Sequence, residues 1–375
     1  MEEYFRVKAE VDLSAIVHNI KEVMRVVGKD TKVMAVIKAD GYGHGAVPIA
    51  QELDKIGIGG YAVAIMEEAI ELREAGTKTP ILILGFTAPA QYKTLIEHNV
   101  AMTMFSYEMA KELSDVAVST GNEAKIHVKV DTGMNRIGFK PTQESLKKIK
   151  KISQLPMIQI EGIFTHFARA DEKDKEAAYK QKKRYDDFVQ QIEDEGIHIP
   201  VKHISNSAAI IDMDDCRKNM VRSGIITYGL YPSSDVSKNV LDLKPAMELK
   251  THIVHIKEVD AGEGISYNGT YVTDKKTKIA TIPVGYADGY PRSLSSKGRV
   301  IIRGQYAPII GRVCMDQFMV DVTNIKDVNL MDQVILMGQD GDVCVSADEI
   351  ATMIGTINYE LVCDISKRVP RFYKK

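Results

Sequence analysis

Eight short apolar runs recur through the first two thirds of the chain, and no other feature constrains the fold as strongly. They begin near Val33 (VMAVIK), Tyr61 (YAVAI), Ile81 (ILILG), Ala101 (AMTMF), Lys125 (KIHVKV), Ile158 (IQIEGIF), Val201 (VKHIS) and Asn219 (NMVR), with gaps that hold one helix each. The first helical segment shows the signals plainly. Asp12, an N-cap residue type, precedes Leu13, Ile16, Val17, Ile20, Val23, Met24 and Val27 at three- and four-residue spacing, and Gly28 ends it. MEEAIELREAG from Met66 and the charged stretch from Asp171 to Gly196 read as helices too. Strand and helix alternating eight times predict a parallel (β/α)8 barrel of the TIM type, because an open doubly wound sheet usually stops nearer six strands.

After about Leu243 the pattern changes to strands with tight Gly and Asp-Gly turns: ELKTHIVHIKEV, KIATIPVGYADG, GRVIIRGQYAPIIGRVCMDQFMVDV and DQVILMGQDGDVCV. That punctuation predicts an antiparallel β domain, interrupted by one helix with a capping box at Ser346 and Glu349. The expected division is residues 1–245 for the barrel and 246–375 for the β domain, with the first ten or so residues able to pack on the latter. A chain of 375 residues suits two domains.

Forty-nine Lys and Arg against 51 Asp and Glu leave a formal charge of -2. No global basic field exists for nucleic acid or an anionic membrane, and the expected partner is a small molecule. The start MEEYFRVKAEVDLSAIVHNI lacks a basic segment leading into an apolar stretch, and no run reaches the ~20 apolar residues of a membrane span. Cys216, Cys314, Cys344 and Cys363 form no CxxC pair, so reduced thiols and a cytoplasmic location are expected.

In a barrel, chemistry belongs at the C-terminal strand ends, and those ends carry Lys38, then His127 with Lys129 and Asp131, then His166, Ser205 and Arg222. Lys38 closes an apolar strand before ADGYGHG, where low-polarity walls would favour its neutral amine and Schiff-base chemistry. For an isolated lysine, snorkelling to solvent or pairing with Asp40 is the commoner outcome. Ser205, Asn206 and Ser207 follow the seventh strand and Arg222, Ser223, Gly224 and Ile225 the eighth, where barrels often bind phosphate. Ordinary turn capping explains the residues singly but not their coincidence.

Lysine, phosphate loops and a nearby arginine suggest pyridoxal 5′-phosphate. A metal-dependent hydrolase using His44, His127, Asp131 and His166 competes with it, although no two of these histidines are close in sequence. A third reading is a carrier of a phosphorylated ligand, which leaves the second domain without a task. In HVKVDTGMNR the strand period puts His127, Lys129 and Asp131 on one face, where a Lys129–Asp131 ion pair is the simplest arrangement. In the β domain, GEGISYNGTY sets Tyr267 among glycines and GRVCMDQFMVDV sets Met315 and Asp316 in an apolar strand pair.

AVIKADGYGHG, VDTGMNRIGF, THFARADE, NSAAI with VRSGIITYGLYP, GEGISYNGTY, IPVGYADGYPRS, GRVCMDQFMVDV and GTINYELVCDISKRVPRFY, taken together and in order, resemble the alanine racemase family nearly end to end. The resemblance implies a homodimeric, pyridoxal phosphate-dependent isomerase with a barrel and a C-terminal β domain, which interconverts L- and D-alanine and supplies D-alanine for peptidoglycan. It implies that Lys38 is the Schiff-base lysine and the base on the D face, with Tyr267 of a second subunit on the L face. It makes Tyr42, Ser207, Gly224, Ile225 and Tyr359 phosphate ligands, Arg222 the partner of the pyridine nitrogen oriented by His203, and His166 the partner of Tyr267. Arg136 and the Met315 backbone would hold the substrate carboxylate, with Asp316 in support and a carbamate on Lys129 fixing Arg136. No metal is implied. A serine or broad-specificity racemase would use the same machinery, and a decarboxylase of similar architecture would not need Tyr267. Ser223 and Ser205 depart from the residues common in the family, and both flank the phosphate loops.

Overall fold

The computed structural model describes residues 5–375. The eight expected strands form a closed parallel barrel, and each begins within one residue of its sequence reading. They are β2 (Lys32–Val36), β3 (Gly60–Val63), β4 (Ile81–Ile83), β5 (Ala101–Met104), β6 (Ala124–Lys129), β7 (Ile158–Phe164), β8 (Val201–His203) and β9 (Met220–Ser223). β9 pairs with β2 in parallel, which closes the ring. The helix Leu13–Val27 ends before Gly28 as its pattern requires, and the long charged segment is helical over Glu176–Asp194, five residues inside its expected start.

The chain divides into two compact units: Ala15–Gly41 with Ala46–Pro245, and Ala246–Lys375 with Tyr42–Gly45 and the N-terminal segment through Ser14. In the second unit β1 (Val7–Asp12) pairs antiparallel with Met247–His252 and parallel with Arg371–Lys374. It thus stitches both ends of the chain into one sheet, otherwise antiparallel. ELKTHIVHIKEV forms two strands, Met247–His252 and His255–Val259. Ile253 donates to Asp332 and Val254 to Thr281, so the backbone changes partners there. A turn with positive φ at both Arg303 and Gly304 joins Arg299–Ile302 to Gln305–Ile310, the geometry that suits a two-residue hairpin. The Ser346 hydroxyl caps Ala347–Ile354 by accepting the Glu349 N–H. A second helix, Asn358–Asp364, follows it and carries Tyr359; the single-helix expectation missed it because only seven residues separate Ile357 from Ile365, too few for a periodic signal.

Candidate active site

Beyond β2 the backbone enters a left-handed turn. Ala39, Asp40, Gly41, Tyr42 and Gly43 have φ of 51, 51, 60, 50 and 77°. Only glycine adopts this region freely; each other residue costs about 1–2 kcal/mol there, so the turn needs fixed partners. Gly41 N–H reaches back to the Ile37 carbonyl at 2.9 Å, and the Asp40 carboxylate accepts the Ala46 N–H at 2.8 Å. Glu68, from the helix Met66–Glu74, takes the Ala39 N–H at 2.6 Å with one oxygen and the Ala64 N–H at 2.7 Å with the other. Asp40 is therefore engaged in holding the turn that follows Lys38. Glu68 was not singled out in the sequence, where it reads as one more acidic residue in a first helical turn.

Arg222 lies in the barrel core, 3% exposed. Its Nη1 donates to His203 Nδ1 and to the His203 carbonyl, both at 3.0 Å. Its Nη2 donates to the carbonyls of Thr165 at 2.8 Å and Ile204 at 3.1 Å and to His166 Nδ1 at 3.2 Å. Nε alone donates to nothing among the described residues. Burial holds the Arg222 pKa down to about 10, which still leaves a cation at neutral pH. It also holds His203 and His166 well below the ordinary imidazole value, with Arg222 the next cause for each. Because a guanidinium only donates, both rings must present a lone pair at Nδ1.

His127 and Lys129 are buried on one interior face, as the strand period requires, but the expected ion pair is absent. Asp131 binds Lys140 at 2.7 Å and caps Gly133 and Asn135 N–H groups, while the Lys129 amine donates to the Val130 and Ile137 carbonyls at 2.7 and 3.3 Å. The Lys140 side chain is 57% exposed and reaches Asp131 from the solvent side. Desolvation, then Arg222, brings the Lys129 pKa down to about 7. Arg136 is exposed in the following loop and makes no hydrogen bond or ion pair among the described residues.

After β8, Ser207 opens the turn Ser207–Asp212, capped by the Asn206 side chain on Ala209 N–H; the Ser207 hydroxyl accepts the Gly224 N–H at 3.0 Å. Ile225 starts a one-turn helix, so the seventh and eighth loops both present first-turn N–H groups that have no acceptor within their helices. Ser205 and Ser223 turn away into bonds with the Cys216 carbonyl and the Thr227 hydroxyl. Their departure from the family pattern thus leaves the loop donors intact.

In the other unit Tyr42 is buried, with its ring centroid 6.1 Å from that of Tyr359, and burial raises its phenol pKa. Tyr267 is 69% exposed at the tip of the hairpin Gly264–Ile265 and Tyr271–Val272, with positive φ at Ser266 and Asn268 on either side. Met315 accepts the Ala287 N–H through its carbonyl, and its own N–H donates to nothing among the described residues. Asp316 pairs with Arg368 at 2.8 Å. Gly285 allows the close fit, since a Cβ there would lie 2.3 Å from the Met315 carbonyl oxygen. Among the described residues no three His, Cys, Asp or Glu side chains gather as a metal site. His127 and His166 take their hydrogen bonds from the His203 and Arg222 network instead.

Residues 11–232 match the family model "Alanine racemase, N-terminal domain", and residues 246–373 match "Alanine racemase, C-terminal domain". The chain is 52% identical over 367 residues to the alanine racemase of Clostridium perfringens (strain SM101 / Type A), covering 98% of this chain and 95% of that one. The solved alanine racemase of Clostridium difficile 630 superposes with a TM-score of 0.95 at 46% identity, over 98% of this chain and 95% of the other. Alanine racemase from Bartonella henselae, solved with covalently bound pyridoxal phosphate, gives a TM-score of 0.87 at 28% identity, over 98% and 99% of the two chains. With a closed barrel, an antiparallel sheet and matches that run through both, the chain belongs to the alanine racemase family.

Proposed function

We propose that this chain is a pyridoxal phosphate-dependent isomerase that interconverts L- and D-alanine, with Lys38 and Tyr267 as its two proton carriers. The observation that carries the reading is the buried Arg222, whose Nε–H is the one guanidinium N–H without an acceptor among the described residues, on a strand whose following loop presents first-turn N–H groups. That donor set fits a phosphorylated pyridine. Ser207, Gly224 and Ile225, with the Tyr42 and Tyr359 hydroxyls, would hold the phosphate, and Arg222 would face the ring nitrogen, oriented by His203. Bound there, the cofactor supplies an electron sink conjugated to the substrate α-carbon.

The residues then divide the remaining work. Lys38, presented by the left-handed turn, holds the cofactor and moves a proton on one face of the α-carbon. Tyr267 of a second copy moves a proton on the other, and racemisation needs both. His166 favours that role: with Nδ1 occupied by Arg222, its neutral ring keeps the proton on Nε2, a donor that would stabilise the Tyr267 phenolate. Arg136 and the Met315 N–H would hold the substrate carboxylate. A carbamate on Lys129 would fix Arg136, with Asp316 held in place by Arg368.

The exposed Tyr267 hairpin supports a homodimer with shared sites. The four cysteines, spaced with no CxxC pair, fit a reducing, cytoplasmic compartment. No helix among the described residues is long and apolar enough to cross a membrane. The test is an amino-acid panel followed by chiral chromatography with pyridoxal phosphate present. Interconversion of alanine well ahead of serine is expected, and decarboxylation or no reaction of alanine would overturn the proposal.

A further inference from the structure

The hydrogen bonds of Arg222 continue past His203. His203 Nε2 lies 2.8 Å from His127 Nδ1. His127 Nε2 lies 3.5 Å from the Glu161 carboxylate. The two imidazoles are 3% and 0% exposed, while the Glu161 side chain keeps 27% of its surface and sits near Lys125 and Lys32, which stand at the starts of β6 and β2. The row therefore runs along the barrel interior from the site end at Arg222 toward the N-terminal mouth. It is built into the sheet. β6 and β7 shift register between Ile126 and His127, which leaves Glu161 unpaired and sets Gly162 opposite His127. A Cβ on Gly162 would lie 2.3 Å from His127 Nδ1, so only glycine leaves room for the ring.

The direction of every bond in this row follows from its first member. Arg222 can only donate, so His203 Nδ1 is a lone pair. His203, neutral in this desolvated position, must carry its proton on Nε2. That proton points at His127 Nδ1, which must accept, so His127 carries its proton on Nε2, toward Glu161. The reverse order would place an N–H of His203 against an N–H of a buried guanidinium, a contact with no compensating acceptor.

We infer that His127 and Glu161 are positioning residues for the racemase reaction, holding His203 in the Nε2–H tautomer so that Arg222 keeps its acceptor and its orientation. The inference rests on the racemase reading for the activity it affects, but not for the tautomers, which can be read in the cofactor-free protein. Neither residue touches the reacting atoms.

The test compares His127→Asn with His127→Leu. The two side chains have nearly the same shape, but Asn offers its amide oxygen where Nδ1 was, and Leu offers nothing. His127→Leu should lower kcat about 10²-fold, the effect of a displacement near 1 Å in a catalytic group, with less than about a threefold change in KM. His127→Asn should restore most of that loss. Nitrogen-15 NMR of histidine-labelled protein supplies the independent readout, with the nine histidines assigned from single His→Asn variants. His203 in the wild type should show a protonated Nε2 and a lone pair at Nδ1, with and without cofactor. An Nδ1–H tautomer at His203, or an imidazolium at His127, would overturn the inference even if His127→Leu does not fold. Equal activity of the Asn and Leu variants would overturn it as well. Failure of alanine to racemise in the wild type would instead count against the functional reading and leave the tautomer measurement standing.

Discussion

Glu68 and Ala39 are joined by a charge-assisted hydrogen bond that ties the residue after Lys38 to a helix three elements further along the chain. The same carboxylate holds Ala64 beyond β3, so one side chain sets the spacing of two neighbouring strand ends. Hydrogen bonds to a charged partner contribute about 1.5–3 kcal/mol each, comparable to the strain of the left-handed residues they restrain.

Glu68→Ala should therefore release the turn. The expected result is a fall in kcat of about 10–100-fold with faster amide exchange in the peptide spanning Val36–Tyr42, measured by mass spectrometry without cofactor. Glu68→Gln, which keeps one acceptor oxygen, should lie between the two. Unchanged exchange around Ala39 would show that the turn stands without this clamp.

The chain declared its barrel because each strand is a short apolar run and each helix a 3.6-residue repeat, and both signals are local. The motifs around Lys38, Ser207 and Arg222 were legible for the same reason, lying just beyond strands whose ends could be counted. The partners of those residues were not legible. Lys140 displaces Lys129 from Asp131, Glu68 reaches the Ala39 backbone, and His127 meets His203 across 76 residues. Each pairing is set by register and loop geometry, which periodicity does not encode. The short helix around Tyr359 and the partner switch at Ile253 were missed for lack of length and of any turn residue to mark them.

Subunit mixing tests whether the site is shared. Lys38→Ala and Tyr267→Phe subunits should each be nearly inactive alone, and mixing them should rebuild one intact site per heterodimer. Heterodimers that form, as shown by native mass spectrometry, and stay as inactive as the parents would exclude Tyr267 acting across the interface.

Gly162→Ala should be costly despite its size. The added methyl falls on the His127 ring, which is enclosed by His203 and the barrel wall, so neither partner can yield cheaply. Overpacking of this kind destabilises by about 1–3 kcal/mol. Denaturant unfolding should show a loss in that range or above, and kcat should fall through displacement of His127. Gly60→Ala, on strand β3 with no positive φ and its nearest neighbours 3.4 Å from an added Cβ, is the control for a glycine-to-alanine change in a strand without overpacking.

The Lys129 amine has a pKa of about 7 in the folded chain against the ordinary 10.5, so between those values the unfolded chain binds the extra proton. Stability should therefore rise with pH across that window, at about 1.4 kcal/mol per unit at most, and the cost of the buried ammonium should be fully present below it. Replacing Lys129 by Met should stabilise the protein most near pH 6, and the advantage should shrink toward pH 9 in thermal unfolding. The same depression makes the amine reactive. About half of it is neutral at pH 7, where an ordinary lysine has fewer than roughly one neutral amine in a thousand. A neutral amine adds carbon dioxide and loses a proton to give a carbamate, turning a cation beside Arg136 into an anion that can hold that guanidinium by charge-assisted hydrogen bonds. Lys129→Ala should accordingly fold and bind pyridoxal phosphate yet turn over slowly, with partial rescue by small carboxylates such as formate or acetate. Carbon-13 NMR after exposure to labelled bicarbonate should reveal the adduct. A free amine at Lys129 in fully active, carbon dioxide-equilibrated enzyme would remove the carbamate from the site and leave Lys129 as a neutral donor to the Val130 and Ile137 carbonyls.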